Sequence, residues 1–273
     1  MARRWTKVEE EQKRRELYGL YIRKNKTIVE IAEILGITYT SVYERIIRLN
    51  IPLCSSKKEH YRNKKPVTLP SPCSDLAEFM GIMLGDGHRT DGQLIVTINA
   101  RDDYGYIAYV QTLIRKLFNR DTGVQYRRSH NTADVYFGSV ELVSYLATLG
   151  LTAKNKVKEQ IDVPHWIQRN RSYGRRFIRG FFDTDGSIYK MSNKRAVQMS
   201  FSNRSKPLLD SVRIMLLELS YHPSRATHVF YLSRKEDLQR YVSVIGFGNP
   251  KHSQRAHAFG LMGGSHSGNC TRL

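Results

Sequence analysis

Apolar side chains recur at helical spacing in three stretches of the first fifty residues, which predicts a three-helix domain over residues 1–50. The first helix is expected over 9–23 and the third over 40–49. The second, over 28–35, has Thr27 as its N-cap. The positions expected to face inward are Leu17, Leu20, Tyr21, Ile31, Ile34, Leu35, Val42, Ile46 and Leu49. This order favours a helix-turn-helix module, with an ordinary three-helix bundle as the alternative.

Residues 75–259 contain an internal repeat, which predicts two copies of one α-β-β-α-β-β-α half-domain. Each copy opens on an apolar helical stretch that holds a glycine and, five residues later, an Asp-Gly pair. The matching residues are Gly81 and Gly180, Asp86 and Asp185, and Gly87 and Gly186. The expected fold class is therefore α+β, with a pseudo-twofold domain formed by one half over 75–160 and another over 161–259.

The two opening helices each carry small residues four positions apart, which allows their backbones to pack closely. These residues are Gly81 and Gly85 in the first copy and Gly180 and Thr184 in the second. We therefore expect the helices to cross at the centre of the domain, with Gly81 and Gly180 at their interface. Each helix then ends at an aspartate, and the crossing brings Asp86 and Asp185 side by side.

Two carboxylates at helix C-termini repel each other and face the negative ends of the helix dipoles. A divalent cation bound to both would relieve both effects, and paired carboxylates completed by water and phosphate oxygens favour Mg²⁺. We therefore predict that Asp86 and Asp185 bind Mg²⁺, for which Mn²⁺ would substitute, with Gly85 and Thr184 in the same metal site. Metal ions there would activate a water for phosphodiester hydrolysis. Two ordinary turn aspartates are the alternative.

The chain is strongly basic, with 44 Lys and Arg against 25 Asp and Glu among 273 residues and a formal net charge of +19. This excess favours a polyanionic partner.

Residues 51–74, which contain prolines and lysines, are expected to form a basic linker. Residues 260–273, which are rich in Gly, Ser and His, are expected to form a flexible tail. The chain shows no signal peptide and no apolar run long enough to cross a bilayer, so we expect an intracellular protein of the cytoplasm or nucleoid without a membrane partner. The three cysteines lie far apart and predict neither a disulfide nor a zinc site.

The paired motif resembles that of the LAGLIDADG homing endonucleases in their single-chain, two-motif form, over residues 75 to about 255. The resemblance implies a monomeric, metal-dependent endonuclease that cuts both strands of a long, asymmetric double-stranded DNA target. It also implies 3′ overhangs and mobility of an intron or similar element. By the family pattern, Asp86 and Asp185 are the catalytic metal-binding acids, whereas Asp183 has no acidic counterpart in the first copy and is interpreted as structural. Residues 1–50 resemble Myb-like or resolvase-like DNA-binding domains.

The family also implies a basic residue near the active site, from the region that closes each half. Lys156 and Lys251 occupy matching places in the two copies. We expect them to polarise the attacking water or to offset charge in the transition state. Lys154 and His252 are the rival candidates, and lysines that only contact a phosphate are the alternative.

The predicted strands alternate polar and apolar residues, which indicates sheets covered on one side only. In the family, the open face lies in the DNA major groove, where polar side chains read base edges. The resemblance therefore implies DNA contacts for residues on or beside the strands: Gln93, Thr97, Asn99, Arg101, Gln125, Arg127, Gln198, Ser200, Ser202, Arg204 and Arg225. The candidates in the N-terminal domain are Thr40, Ser41, Tyr43 and Arg45.

A non-cleaving nucleic-acid-binding protein of the same fold is the alternative to an endonuclease. It would be an intron RNA maturase, with structured RNA as its partner, or a DNA-binding transcriptional regulator. The presence of both acids favours cleavage over regulation, although a maturase is compatible with them too. An intein is not expected, because the chain starts Met1-Ala2 and lacks a terminal His-Asn pair. The nine scattered histidines do not predict an HNH nuclease.

Overall fold

The structure is a computed structural model that describes residues 5–53, 67–127, 130–152, 156, 158–191, 196–224 and 228–262. The chain divides into two compact units, residues 1–65 and 66–273. None of the helices in the described part combines the length and the apolar composition that crossing a bilayer requires.

The described part of the N-terminal unit consists of three helices: α1 Lys7–Tyr18, α2 Ile28–Leu35 and α3 Tyr39–Arg48. One π-helical turn, Gly19–Arg23, continues α1. Thr27 caps α2 as predicted: its hydroxyl accepts the N–H of Glu30, and the Glu30 carboxylate accepts the Thr27 N–H. Gly36 ends α2 with φ 62°, a left-handed conformation that favours glycine.

A small apolar core holds these three helices together. Its buried members are Leu17, Tyr21, Ile28, Ile31, Ala32, Val42, Ile46, Leu49 and Ile51. The expectation that Ile34 faces inward is wrong, because its side chain is 56% exposed. Ile28, Ile31 and Ala32 define the buried face of α2, and Ile34 lies beyond the edge of that face.

The first half of the larger unit contains three helices and a four-stranded antiparallel sheet. In chain order they are α4 Ser74–Gly85, β1 Gly87–Arg89, β2 Leu94–Asn99, α5 Tyr104–Phe118, β3 Gly123–Arg127, β4 Thr132–Phe137 and α6 Val140–Thr148. The sheet has the order β1-β2-β4-β3. This half follows the predicted α-β-β-α-β-β-α order.

The second half contains α7 His165–Gln168, α8 Arg171–Asp185, β5 Gly186–Lys190, β6 Val197–Ser202, α9 Lys206–Glu218, β7 Val229–Leu232, α10 Lys235–Val244 and α11 Pro250–Ala258. Its antiparallel sheet has the order β5-β6-β7. The predicted fourth strand is missing from the described residues, since 221–224 form no strand and 225–227 lie outside them. The α+β class is confirmed.

Each sheet has one buried and one open face, because its strands alternate as the sequence indicates. In the first half, Leu94, Val96 and Ile98 on β2 are buried together with Ala133 and Val135 on β4. The helices cover this apolar face, and α4 and α8 pack against each other at the centre of the unit.

The predicted linker and tail are both shorter than expected. Val67 packs against the core, and the Thr68 N–H donates to the carbonyl of Phe118 at 3.1 Å. Leu261 is buried, although we expected it in the flexible tail. The side chains of Val67 and Leu261 bury apolar surface against the core, which holds the adjoining backbone in place. The rest of these two predictions, residues 54–66 and 263–273, lies outside the described residues.

Candidate active site

The central helices α4 and α8 touch through their backbones. A Cβ atom added at Gly81 would lie 2.3 Å from the Phe177 carbonyl oxygen, and one at Gly180 would lie 2.2 Å from the Glu78 carbonyl oxygen. Neither position tolerates a side chain, since the opposing atoms belong to rigid helix backbone. The two glycines therefore set how closely the helices approach.

Ion pairs between these two helices join acids of α4 to arginines of α8. Glu78 on α4 is fully buried and pairs with Arg176 of α8 at 2.7 Å and Arg179 at 3.4 Å. Arg176 also pairs with Asp75 of α4 at 2.6 Å. In these three ion pairs the acids belong to α4 and the arginines to α8, so each pair spans the interface between the two halves.

The close crossing brings the C-terminal ends of the two helices together. A Cβ atom at Gly85 would lie 2.0 Å from Thr184 Oγ1 and 3.4 Å from Asp185 Cγ. Asp86 caps α4 and Asp185 is the last residue of α8, so the two acids follow directly from this contact. The Thr184 hydroxyl itself donates to the Phe181 carbonyl at 3.0 Å.

Both carboxyl groups hold their protons more tightly than usual. The surrounding protein restricts the hydration of Asp86, although its side chain remains accessible to solvent, and raises its pKa to about 6. Burial, followed by the charge of Asp86, raises the pKa of Asp185 to about 7. Asn203 Nδ2 donates to Asp185 Oδ2 at 2.5 Å and partly opposes this rise. Burial is thus the main cause of both shifts, and the charge of Asp86 adds to the shift of Asp185.

Lys156 lies close to both acids. Its ammonium group donates to the carbonyl oxygens of Met83 at 3.2 Å and Leu84 at 3.4 Å, and to that of Gly85. Lys156 thereby caps the negative end of α4. Burial lowers its pKa, whereas the charges of Asp185 and Asp86 act in the opposite direction. The sequence predicts that Gly85 belongs to the metal site. In the structure its carbonyl oxygen accepts a hydrogen bond from the Lys156 ammonium group.

Lys251 is held by a different acid. Its ammonium group pairs with Asp103 at 2.7 Å, and Asn249 Nδ2 donates to the same carboxylate at 2.7 Å. Asp103 directly precedes α5 in the first half, so the pair joins the two halves beside the acids. The rival His252 is buried, and burial lowers its pKa to about 4, so its imidazole is uncharged near neutral pH. Lys154 lies outside the described residues.

Asp183 performs a packing role. Its side chain is buried, and Oδ2 accepts the Gly248 N–H at 2.7 Å. Burial raises the pKa of Asp183 to about 8. The hydrogen bond ties the end of α8 to the segment that precedes Lys251, which fits the structural interpretation of this residue.

The predicted DNA-contacting residues of the first half surround the open face of its sheet. Thr97, Asn99, Gln125 and Arg127 are exposed on β2 and β3, on the face opposite the core. Gln93 precedes β2 and is half-buried, and Arg101 follows it and is exposed. Arg127 is ion-paired with a neighbouring acid on the same face.

In the second half, Gln198, Ser200 and Ser202 lie on one face of β6, and Arg204 is exposed beyond its end. The Gln198 amide is satisfied within the protein, because the Tyr189 hydroxyl donates to Oε1 at 2.8 Å and Nε2 donates to Ser233 Oγ at 2.8 Å. Arg225 lies outside the described residues.

The four candidate DNA-contacting residues of the N-terminal unit differ in how exposed their side chains are. Thr40 and Tyr43 are exposed on α3. The Ser41 N–H instead donates to Thr38 Oγ1 at 3.2 Å, and the Arg45 guanidinium lies 5.4 Å from the centre of the Trp5 ring. Their DNA contacts remain predictions.

Comparison of the two copies of the repeat did not indicate the contacts of three polar residues near the site. Asn203 contacts Asp185, but the matching position after β2 is Ala100. An aspartate that directly precedes a helix, as Asp103 does, is a common sequence feature. This feature does not indicate that Asp103 pairs with Lys251. Asp134, the partner of Arg127, lies on β4 and is only 4% exposed. Each acts through a contact between different elements of the fold, which the spacing within the repeat does not encode.

The donor set at the helix ends fits a divalent cation with few protein ligands. No group of three or more His, Cys, Asp or Glu side chains suited to hold a metal occurs within the described ranges. Two carboxylates with raised pKa values leave most coordination positions to water or to substrate oxygens, as Mg²⁺ prefers.

We expect calcium to stabilise the protein more at about pH 8 than at about pH 5. Since the folded-state pKa values of about 6 for Asp86 and about 7 for Asp185 exceed the ordinary 3.8, these groups contribute most to stability at low pH. Their contribution is lost as the pH rises to about 7, and a bound cation would restore it. Thermal unfolding with and without Ca²⁺ measures this. The double variant Asp86→Asn/Asp185→Asn is the control, and an equal Ca²⁺ effect at both pH values would contradict the prediction.

Residues 172–246 match the model of a family described as a LAGLIDADG-like domain. Among curated proteins, the chain is similar to the replication factor C small subunit of Methanocaldococcus jannaschii, with 27% identity over 184 residues, 63% of this chain and 9% of that protein. The corresponding protein of Thermococcus kodakarensis is 26% identical over 267 residues, 91% of this chain and 29% of that protein. The tRNA-splicing ligase RtcB of Pyrococcus furiosus is 23% identical over 207 residues, 68% of this chain and 21% of that protein. The chain spans less than a third of the length of these relatives.

Two solved structures are also similar. One is I-DmoI in complex with DNA and Ca, with 19% identity, a TM-score of 0.46 and coverage of 68% of this chain and 96% of that chain. The other is the N-terminal LAGLIDADG domain of DUF199/WhiA, with 14% identity, a TM-score of 0.47 and coverage of 65% and 86%.

Proposed function

We propose that this chain, whose residues 172–246 match the model of a LAGLIDADG-like domain, is a site-specific, metal-dependent endonuclease that cuts both strands of a long, asymmetric DNA target. The observation that carries the proposal is the meeting of Asp86 and Asp185 at the ends of two crossing helices, with the half-buried Lys156 beside them. The pair costs electrostatic free energy when both are ionised, which is typical of a catalytic site.

Asp86 and Asp185 would hold the divalent cation, Mg²⁺ or Mn²⁺, which when bound would lower the pKa of a water and stabilise charge on the phosphate. Lys156 places a positive charge beside both acids and fixes the end of α4 through three carbonyl contacts. Lys251, held by Asp103, places a second positive charge near Asp86. In this arrangement both lysines offset the negative charge that a scissile phosphate brings to the two acids.

DNA binding is supported by charge and by the open sheet faces. The net charge of +19 favours phosphate contacts and predicts strong dependence of affinity on salt. The two sheets expose polar side chains next to the paired acids, and their different residues fit an asymmetric target. We expect a monomer, since one chain supplies both halves, and we expect the N-terminal unit to add affinity through α3.

A role in mobility of an intron or similar element is supported by the relatives. Segments similar to this chain occur in a replication factor C protein and in a tRNA-splicing ligase, where they make up 9% and 21% of the protein. Recurrence of one segment in proteins with unrelated names fits an element that moves between genes. We expect 3′ overhangs at the cut.

The test is incubation of the full chain with a library of long DNA duplexes that spans the native locus, with Mg²⁺, with Mn²⁺, with Ca²⁺ and with EDTA. We expect double-strand cuts at one long site with Mg²⁺ and Mn²⁺, none with EDTA, and binding at the same site with Ca²⁺. Sequencing of the ends reports the overhang. Tight binding to DNA or to structured RNA without cuts under any metal would contradict the proposal and would indicate a regulator or a maturase.

A further inference from the structure

An acidic side chain lies on the open face of the first sheet, which is otherwise suited to a polyanion. Asp134 on β4 is only 4% exposed, and its two carboxylate oxygens have separate partners. The Thr97 hydroxyl donates to Oδ1 at 2.8 Å, and the Arg127 guanidinium pairs with Oδ2. These three residues form a fixed polar group across β2, β4 and β3.

The fold itself does not require this carboxylate. Asp134 lies opposite Thr97 in the register of β2 and β4. In the second half the matching pair is Ser200 on β6 and Tyr231 on β7, so the repeat places an aromatic residue there. Asp134 is therefore a feature of the first sheet alone, and its role concerns what this sheet faces.

Asp134 fixes the position of an exposed guanidinium group. The Arg127 side chain is 58% exposed, while the Asp134 side chain is 6% exposed. A guanidinium group has five N–H donors in one plane, so the contact with Asp134 leaves donors free to bind a second partner. The preferred partner of such a planar donor pair in the DNA major groove is the O6 and N7 edge of guanine.

The same carboxylate disfavours the competing use of Arg127. A phosphate bound by this guanidinium would lie close to the negative charge of Asp134, which repels it. A guanine edge carries no net charge and is not repelled in this way. The acid therefore directs Arg127 away from the backbone and towards a base.

We propose that Asp134 is a positioning residue for sequence recognition, which holds Arg127 for two hydrogen bonds to one guanine of the target. This inference rests on the proposed DNA-binding function and goes beyond it, because it assigns one base pair of the target to one pair of side chains. Thr97 supports the carboxylate through its hydroxyl group.

The experiment is selection of bound duplexes from a randomised DNA library, with the full chain in Ca²⁺. The wild type is compared with Asp134→Asn, Arg127→Ala and the double variant. Asp210→Asn is the matched control, since Asp210 is an exposed helix carboxylate paired with Lys206 at 2.9 Å. We expect Asp134→Asn and Arg127→Ala to lose roughly tenfold or more of the guanine preference at the same single position. The double variant should lose no more than Arg127→Ala.

Two further variants separate recognition from stability. Arg127→Lys keeps the charge but lacks the planar donor pair, so it should not restore the guanine preference. Thermal unfolding of Asp134→Asn checks that the fold persists. Uniform weakening of all sequences by Asp134→Asn, or unchanged preference in that variant, would overturn the inference while leaving the proposed function intact. If the wild type enriches no sequence at all, the proposed DNA function fails, and the inference fails with it.

Discussion

Replacement of Asp185 by asparagine is expected to abolish double-strand cleavage, by about a thousandfold or more, while DNA binding in Ca²⁺ persists. The amide keeps the size of the side chain and the neighbourhood of Asn203, but it removes a charge that a divalent cation needs. Asp86→Asn should have an effect of the same order. Both acids belong to one site, so the double variant should be no less active than either single variant within the limit of detection.

Cleavage of the selected target, followed in time with Mg²⁺, measures this effect, and a gel shift with Ca²⁺ measures binding. Asp121→Asn is the control, because Asp121 is an exposed carboxylate paired with Arg115 at 3.3 Å. Normal cleavage by Asp185→Asn would contradict the assignment of the active site. Loss of binding together with cleavage would show that the acid acts through the fold.

Replacement of Gly180 by alanine is expected to lower the free energy of unfolding by about 3 kcal/mol. The added methyl group would lie 2.2 Å from the Glu78 carbonyl oxygen, so the backbones of α4 and α8 must move apart. Chemical denaturation followed by circular dichroism measures the loss. Because the two acids depend on the same crossing, cleavage should fall as well.

Gly174→Ala is the matched control on the same helix. A Cβ atom there would lie 3.5 Å from Met215 Sδ, an ordinary van der Waals contact, and alanine favours the helix by about 1 kcal/mol relative to glycine. The control should therefore be neutral or stabilising. Equal stability of Gly180→Ala and Gly174→Ala would show that the crossing is looser than the geometry indicates.

The sequence predicted the central helices and their acids because these depend on short-range spacing that the repeat displays twice. The small residues at Gly81 and Gly180 were sufficient to predict the close crossing, and the crossing positions the acids. The contacts of Lys156 with three carbonyl oxygens were not predictable, because in a chain with 44 basic residues nothing marks which lysine folds back on a helix end. Asn203 had no counterpart in the other half, so comparison of the copies concealed it.

The pattern of alternation predicted which strand residues face the core, since burial depends on the face alone. It did not predict which residues of the open face bind one another. Asp134 and Arg127 lie on different strands, and only the antiparallel register of β3 and β4 brings them together. A repeat predicts equivalent elements in both copies, but among the described residues the second sheet contains β5, β6 and β7 and no fourth strand.

The ion pairs between α4 and α8 make the two halves of this unit depend on each other. Two copies of the first half, paired as α4 against α4, would bury two Glu78 carboxylates without the arginines that neutralise them. Two copies of the second half would bring Arg176 and Arg179 together without the Asp75 and Glu78 carboxylates that pair with them. A symmetric pair built from either half alone would therefore lack these ion pairs at its central crossing. Each half can change the residues on the open face of its sheet independently, but the paired charges of α4 and α8 must change together.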